Sequence, residues 1–144
     1  MALAVDIAEA IRRIARWAAE RDDIAGVLLV GSRARGTARP ESDIDVVVLS
    51  RDTNRYRDGA WVDELAIAEL TGTRPWGAIT EYRLVAAGGF EVEINIGHPD
   101  WARTDPIDPG TRRVVTEGAR IVHDPGGVLA ALLHACGRLP GPRS

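Results

Sequence analysis

The stretch GSRARGTARPESDID, residues 31–45, decides how the rest of the chain is interpreted. It lies between two apolar segments, IAGVLLV (Ile24–Val30) and IDVVVL (residues 44–49). Short continuous apolar runs, rich in β-branched residues, are typical of strands that are buried on both faces. The stretch therefore predicts two core strands joined by a polar turn, which opens with Gly31 and closes on a pair of aspartates.

The two aspartates, Asp43 and Asp45, stand two residues apart at the start of the second strand, so their side chains project from the same face. At about 5 Å and an effective dielectric constant of about 20, two such charges repel by roughly 3 kcal/mol. A bound cation would offset that repulsion. Mg²⁺ prefers oxygen ligands and usually takes phosphate oxygens as well. The pair therefore predicts a magnesium site that faces a phosphate group.

The turn after the first strand supplies the features of a phosphate-binding site. Gly31 lets the backbone approach a ligand closely, and the hydroxyl of Ser32 and the amides of a helix start can donate to phosphate oxygens. Residues 32–36 are predicted to form a short helix that Gly36 ends. Arg33, ahead of Arg35, could neutralise phosphate charge, although both are also compatible with ordinary surface arginines.

Periodicity along the remaining chain predicts a mixed α/β fold. The predicted elements are helices over residues 2–20, 61–70, 111–117 and 128–136, strands over residues 78–85, 90–96 and 119–123, and a proline-containing connector over residues 73–77. With the two core strands, they predict one domain over residues 1–144, built on a twisted mixed sheet of about five strands with flanking helices. The tail from about residue 137 is expected to be frayed.

The sequence GSRARGTARPESDIDVVVL resembles the signature of the DNA polymerase beta-like nucleotidyltransferases: Gly-Ser, about ten residues, then Asp-x-Asp on the next strand. It is most similar to the minimal nucleotidyltransferases and to the N-terminal catalytic domains of aminoglycoside and lincosamide nucleotidyltransferases. The motif itself covers a small part of the chain. The order of helices and strands extends the resemblance over residues 2–136.

The resemblance implies transfer of a nucleoside monophosphate, first of all AMP from ATP, to a hydroxyl of a small molecule or a protein, with release of pyrophosphate. Two Mg²⁺ ions would be held by three carboxylates, of which Asp43 and Asp45 are the first two. The triphosphate of ATP or another nucleoside triphosphate would lie on Gly31, Ser32 and Arg33. ATP is expected from the family, since nothing in the sequence reads the base.

Two residues compete for the place of the third carboxylate that the resemblance implies. Glu91 and Glu93 face the same side of their predicted strand, so their spacing does not separate them. The apolar-acid-apolar pattern of residues 92–94, usual in the family, favours Glu93. The predicted catalytic and metal-binding set is therefore Asp43, Asp45 and Glu93.

Composition sets the expected surroundings. The net charge is -3 and the pI about 5.6, so no nucleic-acid partner is expected. A run of about 20 apolar residues is missing from the sequence, which predicts no membrane span. Charges interrupt the N-terminal apolar stretch, and Cys136 is the single cysteine. Together these features favour a cytoplasmic protein without a signal peptide.

Little chain follows Gly97, whereas antibiotic nucleotidyltransferases carry a helical domain that helps to bind the acceptor. The acceptor site is therefore expected to be incomplete in the monomer, or to be completed by a homodimer mate or a helical partner protein. One alternative is a non-catalytic nucleotide-binding or antitoxin-type partner-binding member of the same fold. The other is an unrelated hydrolase, such as a phosphatase, which would release orthophosphate.

Overall fold

The computed structural model describes residues 6–36 and 43–137, and these residues form one sheet with helices on both of its faces. The strands are β1 (Ile24–Val30), β2 (Ile44–Ser50), β3 (Ala68–Trp76), β4 (Ile79–Ala86), β5 (Glu91–Gly97) and β6 (Ala119–His123). The helices are α1 (Ile7–Ala19), α2 (Ser32–Arg35), α3 (Trp61–Leu65), α4 (Pro109–Glu117) and α5 (Val128–Ala135), with 3₁₀ turns at Thr53–Tyr56 and Pro99–Ala102.

The strand order among the described residues is β3-β4-β5-β2-β1-β6. Of the neighbouring pairs, β2 and β5 are parallel, and the others are antiparallel. The predicted mixed α/β class is thereby confirmed, with six strands in the described part of the chain where about five were expected. The parallel pair at the centre positions the candidate site, because it brings the first residues of β2 and β5 next to each other at the same end of the sheet.

Two apolar layers lie on opposite faces of the sheet, because successive strand residues point to opposite sides. On one face, Val46 and its neighbours pack against α1 and α3, whose Trp17 and Trp61 are buried there. On the other face, Val47 and its neighbours pack against α4 and α5. This second layer covers β1 and β2. On the same face, β5 and β4 carry charged and polar side chains, which form the candidate site.

Two adjacent predictions are wrong, the helix over residues 61–70 beyond its first half and the connector over residues 73–77. The helix predicted over residues 61–70 ends at Leu65, where Ala66 takes a left-handed conformation with φ of 57°. Residues 68–76, read as the end of that helix and a connector, form β3 at the edge of the sheet. An edge strand tolerates Pro75, because one side of it needs no ladder hydrogen bonds. Pairing with β4 thus outweighs the helical spacing of a short segment.

Several sequence expectations fall outside the described residues. These are the first part of the N-terminal helix, residues 37–42 of the polar turn between the two core strands, and the tail after residue 137. Within the described part, α1 begins at Ile7 because Asp6 caps it, its carboxylate accepting from the amide of Glu9 at 2.8 Å. In residues 6–36 and 43–137, no helix has the length and apolar character that crossing a membrane requires.

Candidate active site

The turn after β1 is built on a glycine conformation that other residues rarely adopt. Gly31 has φ of 78° and ψ of -153°, and its amide donates to the carbonyl of Gly118 at 3.2 Å. Helix α2 follows at once and ends at Gly36, as the sequence predicts. Because β1 and β2 are antiparallel, the turn lies at the edge where β2 begins. Gly31 and Ser32 therefore stand beside the start of the strand that carries Asp45.

We expect Gly31→Ala to lower the free energy of unfolding by about 1–3 kcal/mol, because a side chain there is forced into a glycine-only conformation. Within residues 6–36 and 43–137, and apart from the glycine and its two chain neighbours, no atom lies within 4 Å of the added methyl group, so the cost there is conformational and not a clash. Gly36→Ala is the matched control, since Gly36 has the same φ in the ordinary left-handed region. Urea unfolding of both variants measures the difference. Equal stability of Gly31→Ala and wild type would contradict this account of the turn.

The two arginines after the turn have different surroundings. Arg35 donates from Nη1 to the carbonyl of Glu117 at 2.8 Å, so its guanidinium fastens α2 to the end of α4. Ser32 and Arg33 are half-buried on α2. The assignment of Gly31, Ser32 and Arg33 to a nucleotide remains a prediction.

Three carboxylates meet where β2 and β5 begin. One ligand oxygen from each of Asp43, Glu91 and Glu93 lies within 4.8 Å of the other two. The parallel register explains this, because Asp45 is opposite Glu93 and one step earlier Ile44 is opposite Val92. The carboxylate of Asp43 also accepts from the amide of Glu91 at 3.1 Å. Both competitors for the third position are thus brought next to Asp43.

Asp45 lies on the same face but is outside this group of three. Its Oδ1 accepts from Nδ2 of Asn95 at 2.8 Å. Burial, followed by the charge of Glu93, raises the pKa of Asp45 from its ordinary value of 3.8 to about 7, against the lowering effect of the Asn95 hydrogen bond. Burial also raises the pKa of Glu93, which the Arg83 charge partly opposes. The two acids are thus partly buried beside other carboxylates, and the one nearby guanidinium named here, that of Arg83, does not cancel the effect of burial on Glu93.

Sequence reasoning missed three residues of this surface: Glu81, Arg83 and Asn95. In the antiparallel β4–β5 pair, Arg83 is opposite Glu93 and Glu81 is opposite Asn95. Arg83 contacts three carboxylates, and Asn95 holds Asp45. Burial alone would raise the pKa of Glu81, but hydrogen bonds from Arg83 and Arg74 outweigh it, so the pKa is lowered. Alternation along the predicted hairpin was the signal that could have placed these residues beside Glu93.

The residues present fit a divalent metal ion. The donors are carboxylate oxygens, the ligands that Mg²⁺ prefers. Asp43, Glu91 and Glu93 are close enough to share one ion, and Asp45 is the neighbour of Glu93 in register. Burial, with the charge of Glu93 next, raises the pKa of Asp45, and burial raises the pKa of Glu93 in spite of Arg83, so the charged forms of both acids are disfavoured without a further cation. A cation at this position would supply the missing charge.

A cavity of about 570 Å³ adjoins the carboxylates. Asp45 and Glu93 line one part of it, and residues that follow β5, among them His98, Trp101 and Thr111, line another. Nδ1 of His98 accepts from the amide of Asp100 at 3.0 Å. Trp61 does not line this cavity and lies in the core, 3% exposed. The chain after Gly97 thus contributes a wall beside the acids.

Comparison with solved structures finds a similar fold in one whose title names a cytoplasmic RNA terminal U-transferase. The two share 19% sequence identity with a TM-score of 0.48, over 60% of this chain and 27% of that chain. This chain therefore spans about a quarter of the length of that protein, and the similarity is one of fold. A comparison with curated protein sequences finds no match.

One expectation from the sequence is corrected. Net charge indicated no nucleic-acid partner, but net charge does not decide this question, and the solved structure of similar fold is by its title that of an RNA terminal U-transferase, which is said of that protein alone. Net charge describes a whole chain and says little about a site in which phosphate charge is met locally by bound cations and a few arginines. A net charge of -3 is therefore no ground for setting nucleic acid aside.

The family comparison covers the site and most of the fold. The model of the nucleotidyltransferase domain family matches residues 11–122, from α1 to β6. This range includes the glycine turn, both aspartates and the competing glutamates. The resemblance to the DNA polymerase beta-like nucleotidyltransferases is thereby confirmed, and the chain belongs to the nucleotidyltransferase domain family.

Proposed function

We propose that the chain is a Mg²⁺-dependent nucleotidyltransferase that transfers a nucleoside monophosphate, AMP from ATP in the first instance, to a hydroxyl acceptor and releases pyrophosphate. In this reaction, the acceptor oxygen forms a bond to the α-phosphorus, the bond from that phosphorus to pyrophosphate breaks, and the hydroxyl proton leaves. The observation that carries the proposal is the meeting of Asp43, Glu91 and Glu93 within 4.8 Å, with Asp45 beside them.

The residues divide the work between metal and phosphate. Asp43, Asp45 and Glu93 are the proposed ligands, with Glu91 as the competitor of Glu93. Magnesium bound there, two ions in the full site, would neutralise triphosphate charge and lower the pKa of the acceptor hydroxyl. Gly31 and Ser32 are proposed to hold the triphosphate, with Arg33 beside it. The protein then acts chiefly by orienting the reacting groups and by placing charge.

The acceptor is proposed to bind in the 570 Å³ cavity, because the cavity reaches Asp45 and Glu93 and opens between β4 and the residues after β5. Hydroxyls of small molecules and of proteins are the first acceptor classes to test, and an RNA with a free 3′ hydroxyl belongs in the same panel. A homodimer mate or a helical partner protein that completes the cavity, and a cytoplasmic location, stay predictions.

Calorimetric titration with ATP, with and without Mg²⁺, tests the proposal. We expect binding of ATP only with Mg²⁺, and loss of that binding in Asp43→Asn, because the carboxylates and the triphosphate share the ion. Release of pyrophosphate with an acceptor would support transfer, while release of orthophosphate would support the hydrolase. Binding that is equal with and without Mg²⁺ would contradict the metal assignment. Failure of ATP to bind under either condition would favour a non-catalytic, partner-binding member of the fold.

A further inference from the structure

One cationic side chain contacts every glutamate of the site. Arg83 lies 3.3 Å from Glu91 through Nη1, and through Nη2 it lies 3.1 Å from Glu81 and 3.3 Å from Glu93. A charge-assisted hydrogen bond between one guanidinium and one carboxylate is usually about 2.7–2.9 Å long. The longer distances indicate a guanidinium that is shared among three carboxylates and not tightly bound to one of them.

The position of Arg83 allows it to leave. Its side chain is 42% exposed, so rotation toward solvent is open to it, and it is opposite Glu93 in register. Glu81 would keep a partner after such a rotation, because Arg74 lies 3.2 Å from it on β3. Glu91 and Glu93, in contrast, are the two acids that compete for the third ligand position beside Asp43. Rotation of Arg83 toward solvent would therefore free Glu91 and Glu93 to bind a metal ion.

We propose that Arg83 is a positioning residue that acts as the counter-cation of Glu91 and Glu93 before metal binds, so that a metal ion must displace it. This inference rests on the proposed function, because it concerns the same carboxylates. The metal affinity of the chain is then set by competition between the guanidinium and the ion for these two acids.

The two consequences of removing Arg83 have opposite signs, and the charge effect is the larger. Loss of the guanidinium removes a positive charge that repels a divalent ion at short range, and it leaves the acids one unit more negative. It also loosens the side chains of Glu91 and Glu93, but their strands stay fixed in the sheet ladder. Ordering two side chains costs less than displacing a guanidinium that is paired with both acids. Metal should therefore bind the variant more tightly.

Titration of the chain with Mn²⁺ alone, followed by electron paramagnetic resonance, tests the inference without nucleotide or turnover. We expect Arg83→Gln to bind Mn²⁺ about tenfold more tightly than wild type, and Arg83→Lys, which keeps the charge, to stay within about threefold of it. Arg74→Gln is the matched control, because Arg74 is paired with Glu81, which is not in the cluster of three. Its Mn²⁺ affinity should stay within about threefold of wild type.

A second readout separates this role from a purely structural one. We expect Arg83→Gln to unfold at lower urea than wild type in chelator, and to recover most of the difference in saturating Mg²⁺. A structural ion pair would lower stability equally in both conditions and would leave Mn²⁺ affinity unchanged, and that result overturns the inference. Arg83→Met replaces the glutamine variant if the latter does not fold. A wild-type chain that does not bind Mn²⁺ overturns the proposed function and, with it, this inference.

Discussion

Asp45→Asn is expected to abolish Mg²⁺-dependent nucleotidyl transfer, by about 10³-fold or more, while making the metal-free protein more stable above pH 7. The loss of activity follows from removing a carboxylate that faces Glu93 at the centre of the site. The gain in stability follows from the electrostatics of the folded chain, in which burial and the charge of Glu93 raise the pKa of Asp45 to about 7. The presence of a residue that destabilises the fold when charged is explained most simply by a bound cation that needs its charge.

The sign of the pH dependence follows from the direction of the shift. A carboxyl whose pKa is raised in the folded state binds its proton more tightly there than in the unfolded chain. Its contribution to stability is therefore complete below about pH 4 and is lost as the pH rises through about 7. The shift corresponds to at most about 4 kcal/mol. Because Asp45 and Glu93 interact, their protons are released by the pair and not by one residue. We therefore expect the measured change in the free energy of unfolding to be about 1–3 kcal/mol.

Urea unfolding in chelator at pH 5 and pH 8 measures this contribution. The asparagine variant should exceed wild type at pH 8 and approach it at pH 5, since Oδ1 of an amide still accepts the hydrogen bond from Asn95. Asp22→Asn is the matched control, because Asp22 is exposed and lies away from the cluster. It should show no such pH dependence. A variant that loses stability at pH 8, or keeps full Mg²⁺-dependent activity, would show that Asp45 has a structural role.

The centre of the fold could be predicted from sequence because local chemistry determines it. The apolar runs Ile24–Val30 and residues 44–49 have little alternative to burial, and Gly31 and Gly36 mark the turn between them. Asp43 and Asp45 are two residues apart, so a strand places both side chains on the same face. Nothing outside the stretch is needed to place these residues at one edge of a sheet.

The rest of the site depends on which strands become neighbours. Helical spacing predicts one helix over residues 61–70, but such spacing is weak evidence in so short a segment. Pairing with β4 places the second half of the segment in β3 instead. Arg83 and Asn95 look like ordinary outward-facing residues until the β4–β5 register places them opposite Glu93 and Glu81. Contacts of this kind are long-range consequences of topology, so a local pattern does not show them.

The competition between Glu91 and Glu93 gives the second large effect. We expect Glu93→Gln to lower turnover by about 10³-fold and Glu91→Gln by about tenfold. Glu93 is opposite Asp45 in the parallel ladder, and its side chain is the less exposed of the two, at 24% against 37%. A ligand in this position approaches both aspartates at once. Glu91, at the first residue of β5, lies within reach of Asp43 but further toward solvent.

Steady-state turnover of the two glutamine variants, compared side by side at saturating Mg²⁺, measures the difference. The pair is internally controlled, because both substitutions remove one charge from the same strand face and one contact from Arg83. A loss that merely reflected the charge of the cluster would be equal in the two variants. A larger loss in Glu91→Gln would make Glu91 the third ligand, with Asp43 as its principal neighbour. The predicted order therefore depends on register: the acid opposite Asp45 completes the metal site, and the acid nearer the strand end supports it.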